Sequence, residues 1–211
     1  MKRRWKIVGG GAAGIVALVG LMHLPSVQAM MGASCPFGRP PDPAKLEALR
    51  TKTAANLRGA TSAPARPALG FVLDASKKPD VLAWGARAGA TCEAALGDAA
   101  LRCEHAKVDD GPLAADAFFR FAPDGRLVAV DVMREPQPAD DASAAFERLV
   151  ADRSHELGNA TRHGDASGAS LASAFARADA TYRFTDYSAE VSVTNLGERG
   201  IVVREQYRSL R

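Results

Sequence analysis

The stretch AFFRFAPDGRLVAVDVM, residues 117–133, decides the fold class. Pro123-Asp124-Gly125 is turn chemistry, because Asp and Gly tolerate the backbone angles of a tight reversal. On one side Phe119 and Phe121 share a face; on the other Val128, Val130 and Val132 alternate with Leu127, Ala129, Asp131 and Met133. A period of two on both sides predicts an antiparallel hairpin, with the valines on the core face.

Working outward, helices and strands follow in a repeating order. Upstream, Phe71-Val72-Leu73 predicts a short strand, and Ser76 caps a helix running to about Ala90 with Val81, Leu82 and Trp84. Leu101 to His105 alternates as a strand. Downstream, Asp140 or Asp141 caps a helix with Phe146, Leu149, Val150 and Leu157 on one face, stopped by Gly158. Residues 159–169 read as a polar loop. Ala178–Phe184, Ser188–Thr194 and Gly200–Arg208 then read as three strands. Glu190, Arg204, Glu205 and Arg208 read as charges on a solvated face. The pattern is helix and three strands at 77–133 and again at 142–208, without identity of letters. The expected class is α+β: two helix-plus-three-strand antiparallel units, about 69–135 and 136–211, whose sheets can join with the helices on one face.

Residues 30–68 differ in character. Asp42-Pro43 opens a helix to about Arg58 with a thin apolar stripe of Leu46, Leu49 and Leu57, ended by Gly59. ATSAPARPA, residues 60–68, reads as a Pro/Ala linker before the domain at 69–211.

Charge separates the N-terminus from the body. The chain has 211 residues, 27 Lys+Arg and 24 Asp+Glu, a net +3. Lys2, Arg3, Arg4 and Lys6 supply the excess, and from residue 30 onward the balance is −1. A near-neutral body argues against nucleic acid as a partner. Residues 1–29 have the order of a signal peptide: a basic start, an uncharged run over 7–24, and Val27-Gln28-Ala29 placing cleavage between Ala29 and Met30. The alternative is an uncleaved membrane tether through residues 7–24. Ala33-Ser34 before Cys35 also suits lipidation, although Gly32 stands where leucine is usual. Export places the chain in the periplasm or on the outer face of the inner membrane. There Cys92 and Cys103 are expected to pair, closing a short loop worth roughly 2–3 kcal/mol.

Chemistry-bearing motifs are sparse. His105, His155 and His163 lack a nucleophile elbow or a zinc-binding helix pattern around them. Asp109-Asp110-Gly111 lacks the further acids of a calcium loop. Gly9 to Gly14 matches a dinucleotide fingerprint in letters but lies inside the leader. No catalytic residue, metal site or cofactor is expected.

Phe71-x-Leu73, Ser76, Asp80-Val81, Trp84 and Gly89, followed by Phe119-x-Phe121-x-x-Asp124-Gly125-x-Leu127, resemble the helix-plus-meander domain of BamE-type outer-membrane assembly lipoproteins. The tandem arrangement resembles the β-lactamase-inhibitor-protein fold. The resemblance implies an exported α+β domain that works by binding another protein of the cell envelope. A small periplasmic hydrolase, or an inhibitor-like regulator of one, is the alternative expectation.

Overall fold

The computed structural model describes residues 57–108 and 114–211, with Lys45, Ala48, Leu49, Thr51, Lys52 and Ala55, which are helical. The expected signal peptide with its Ala29–Met30 cleavage, the tether at 7–24, Cys35 and Asp109-Asp110 lie outside the described residues. The fold is mixed α+β and dominated by strands. A small ribbon pairs β1 (Pro67–Ala68) with β2 (Phe71–Val72). Helix α1 (Lys78–Arg87) precedes β3 (Thr91–Ala95), β4 (Ala100–Lys107), β5 (Ala114–Phe121) and β6 (Leu127–Arg134). Helix α2 (Ala139–Leu157) precedes β7 (Thr161–His163), a single turn α3 (Gly168–Leu171), β8 (Arg177–Arg183), β9 (Tyr187–Asn195) and β10 (Ile201–Ser209).

The two expected three-strand units are corrected by the pairing. All eight long-sheet strands form one antiparallel sheet in the order β3-β4-β5-β6-β10-β9-β8-β7. The seam is β6 on β10, with Glu205 opposite Val132 and Tyr207 opposite Val130. The expectation lacked β3 and β7, the two edges. Both are short and largely exposed, β7 at all three residues, so neither carries the buried alternation that marks a strand.

The hairpin forms around Gly125, whose φ is +81°, with Gly125 N–H donating to Ala122 O at 2.9 Å. A β-bulge changes its register: Arg120 faces Ala129, but Phe121 faces Leu127. The extra residue turns Leu127 into the core, where it is fully buried with Val130 and Val132. Leu127 therefore takes the place expected for Val128.

Helices α1 and α2 cover the same sheet face. Val81 and Trp84 of α1 pack with Phe71, Leu101, Phe119 and Val130, and Trp84, Phe71 and Phe119 meet edge-to-face at 5.3–5.9 Å. Ala142, Phe146, Leu149 and Val150 of α2 pack on Ala178, Ala180, Val191, Val193 and Val203. Their helical spacing makes one apolar stripe. The start of α1 lies one residue later than expected. Lys77 is its N-cap, and Asp80 accepts from Lys77 N–H at 2.8 Å. Ser76 instead accepts from Val72 N–H through its hydroxyl.

The Pro/Ala stretch expected as a linker is bonded to the body. Thr61 O accepts from Thr185 N–H, and Ala63 N–H donates to Asp186 Oδ1 at 3.0 Å. Asp74 fastens it further by accepting from Arg66 at 2.5 Å, Arg126 at 3.4 Å and Ser209 at 2.7 Å.

Cys92 and Cys103 sit opposite each other on β3 and β4, with their sulfurs 2.05 Å apart. Helix α1 approaches them through Gly85, where a Cβ would stand 2.4 Å from Cys92 Sγ. Gly85→Ala therefore sets an overpacking cost of about 1–3 kcal/mol against a helix-propensity gain of at most about 1 kcal/mol. We expect a net loss in urea denaturation in the wild-type background. In a chain already carrying Cys92→Ala and Cys103→Ala the obstacle is gone, and Gly85→Ala is expected to be neutral or stabilising. An equal cost in both backgrounds would contradict the contact.

Candidate functional site

The sheet face opposite α1 and α2 is the candidate site. Directly paired residues on neighbouring strands point to the same side, so the register lays out the face in rows. One row runs Thr181, Glu190, Gln206, Asp131, Phe118, Arg102 and Glu93. The next, toward the C-terminal end of β10, runs Arg183, Ser188, Arg208, Ala129, Arg120 and Ala100. On the other side lie Asp179, Ser192, Arg204, Met133 and Asp116.

Most charges on this face are matched within it. Asp131 accepts from Arg204 Nε at 2.7 Å, from a second Arg204 nitrogen, and from Gln206 at 2.9 Å. That bidentate pairing raises the Arg204 pKa. Glu190 accepts from Arg177 at 2.6 Å, and Arg102 pairs with Glu104 at 2.8 Å and Asp116 at 3.6 Å. Exposed pairs of this kind add little stability, so their effect is to set the pattern of charge. Phe118 is half-buried, and Met133 is 44% exposed, leaving some apolar surface among them.

A pocket opens at the arginine-rich end, lined among others by Leu57, Arg183, Ser188, Glu190, Gln206 and Arg208. Ser188 and Ala129 are buried between the arginines beside them. Further cations stand at this end: Arg58 donates to Leu210 O at 2.9 Å, and Arg211 pairs with Asp186 at 3.1 Å.

The helix-covered face contains a polar centre. Glu205 was expected on a solvated face, yet it is 2% exposed. Arg134 Nη1 donates to Glu205 Oε1 at 2.5 Å, and Tyr207 donates its hydroxyl to Oε2. Arg153 from α2 lies over the Tyr207 ring, 5.9 Å from its centre. Burial pushes the Tyr207 hydroxyl pKa well up, reinforced by the neighbouring Glu205 charge. Its phenol therefore stays protonated and able to donate. The signal was present in sequence: Glu205 is in phase with Val203 and Tyr207.

The expected pair Cys92 and Cys103 is brought together as described. His105 lies on the bulge between Cys103 and Ala106 with φ of +57°, exposed, its Nδ1 3.8 Å from Glu135. His155 and His163 are exposed on α2 and β7. Among the described residues, no His/Cys/Asp/Glu group is placed to hold a metal ion, and no helix is long and apolar enough to cross a membrane. Sequence reading missed Arg183, Ser188 and Arg208 as a set, because their adjacency is created by the pairing of three strands. No protein-family model, curated protein or solved structure matches the chain.

Asp186, beside this end of the face, gives a pH signature. The backbone N–H of Ala63, and then Arg211, hold its carboxyl below the usual carboxylate range. A depressed folded pKa stabilises fully above the unfolded value near ~3.9 and is lost as pH falls through the folded one. Asp186→Asn is expected to cost about 1–2 kcal/mol at neutral pH. Urea midpoints should show the gap to wild type closing below roughly pH 4. A gap independent of pH would assign the loss to shape alone.

Proposed function

We propose that the chain is an exported, non-enzymatic protein-binding or envelope-assembly module, and that it meets its partner on the open sheet face. The observation that carries the reading is the asymmetry of the sheet. Helices α1 and α2 cover one face of the eight-stranded sheet, while the other presents ion-paired charge, Phe118 and Met133, with Leu57 against it at one end. A polar surface with a few apolar groups set into it is the composition of a non-obligate protein interface.

Export is supported by the basic and apolar order of residues 1–29, with cleavage after Ala29 or retention through residues 7–24 as a tether. The Cys92–Cys103 pairing supports an oxidising compartment such as the periplasm. Helix followed by antiparallel strands, met twice along the chain, supports the resemblance to BamE-type and inhibitor-type tandem domains.

Site-directed photo-crosslinking tests the reading. A crosslinker at Met133 on the open face should capture a discrete protein from the cell envelope. One at Leu82, exposed on α1, should not. Capture only from Leu82 would move the interface to the helical side. No capture from either would overturn the protein-binding reading.

A further inference from the structure

We infer that Phe175, held out at one end of the sheet with Leu196 in the adjoining turn, is an apolar anchor that enters a pocket of the protein partner. This rests on the chain working by binding a protein, and it adds where an apolar contact is made and what shape receives it.

Phe175 lies between α3 and β8. Its side chain is 79% exposed, and its φ is +63°. A left-handed backbone is unfavourable for residues with a Cβ and rare for a bulky aromatic, whereas glycine adopts it freely. Leaving a phenyl ring in water forgoes the gain from burying it as well. Strain of this kind persists where the surroundings impose it, and it gathers at functional sites. Here the imposing residue is Asn195, buried at the end of β9. Phe175 N–H donates to Asn195 O at 3.0 Å, and Asn195 N–H donates to Ala176 O at 2.9 Å. Asn195 Nδ2 donates to Leu171 O at 2.9 Å, while its Oδ1 accepts from Gly197 N–H at 2.8 Å. One side chain thus fixes both the Phe175 turn and the turn that carries Leu196, itself 37% exposed. The ring borders Gly197, where an added Cβ would stand 3.9 Å from Phe175 Cζ.

The surroundings of the ring favour a protein pocket as its host. Residues 172–176 carry no charge, and Ala172, Ser173 and Ala174 beside Phe175 are small and exposed. The ring therefore stands clear of its neighbours, which suits a concave apolar slot better than a flat surface. A bilayer fits poorly. One acyl chain gives marginal membrane binding, and Phe175 with Leu196 offers less apolar surface than that. The charges on the adjoining turn, Glu198 and Arg199, cancel, whereas anionic lipid attracts clustered cations. A second copy of the chain is a poor host too, since the pocket described above is walled by Arg183, Glu190, Gln206 and Arg208. Phe175 and Leu196 lie just beyond Arg177 and Thr194, the last β8–β9 pair, so they continue the open face at its end. An anchor there acts as one buried hot spot within the larger, polar contact.

The test places photo-crosslinkers at Met133 and at exposed Glu198 in the full chain, which is titrated into cell-envelope extract. Both positions should give an adduct with the same protein. Phe175→Gly should raise the concentration needed for half-maximal adduct by about tenfold or more. Phe175→Leu, which keeps an apolar side chain, should raise it by about threefold. Glycine relieves the left-handed backbone, so Phe175→Gly should hold or raise the urea midpoint while capture falls. A lower midpoint would assign the ring to the fold and overturn the inference. So would a Glu198 adduct indifferent to Phe175→Gly, or an adduct of twice the mass of the chain. Sedimentation with phosphatidylglycerol–phosphatidylcholine vesicles that Phe175→Gly abolishes would overturn it in favour of a bilayer. If the Met133 adduct forms as well in Phe175→Gly as in wild type, the anchor fails and the protein-binding reading stands. If neither position captures a protein, both fail.

Discussion

One buried ion pair sits where the two halves of the sheet meet. Arg134 is on the last residue of β6 and Glu205 is central in β10, the strands that form the seam. Both side chains are nearly inaccessible to water, at 4% and 3% exposure. Desolvating two charges is costly, and a hydrocarbon pair of equal shape would often serve stability as well. Once buried, however, neither partner tolerates loss of the other; breaking such a pair costs about 3–5 kcal/mol. The pair thus fixes which strands join and in which register. A slip of one residue would turn Glu205 out and present Arg204 or Gln206 to the core. Tyr207 and Arg153 extend the dependence, since the Tyr207 hydroxyl donates to the carboxylate and Arg153 of α2 lies over the Tyr207 ring.

The open face follows from that seam. With β6 and β10 joined, the sheet is continuous, and α1 and α2 fall on one side. The other face then becomes a single surface whose rows cross from β8 to β4. The arginine row exists only because β5, β6, β10, β9 and β8 are in register together. Its small residues and pocket are properties of the assembled sheet.

What could be read from the chain beforehand was what repeats locally. The hairpin at 117–133 was legible because two alternating runs flank a strong turn, and α2 because its apolar stripe is long. The bulge that trades Val128 for Leu127 was not legible, since it is set by pairing with Phe121. The edge strands β3 and β7 bury too little to leave a pattern. Glu205 was assigned by residue type, although its phase with Val203 and Tyr207 pointed inward. The row of Arg183, Ser188 and Arg208 was invisible, because these residues are neighbours in register and not in spacing.

Native-state hydrogen exchange on β6 and β10 asks most directly whether the seam makes the sheet one cooperative body. If it does, the amides of Val130, Val132, Val203 and Tyr207 should exchange with the same free energy as the most protected amides of β4 and β9, through global unfolding alone. Replacing Glu205 by Gln should lower all of them together. If instead β7–β10 open while β4–β6 stay protected, the two halves are separate folding units, and the buried pair is not what unites the open face.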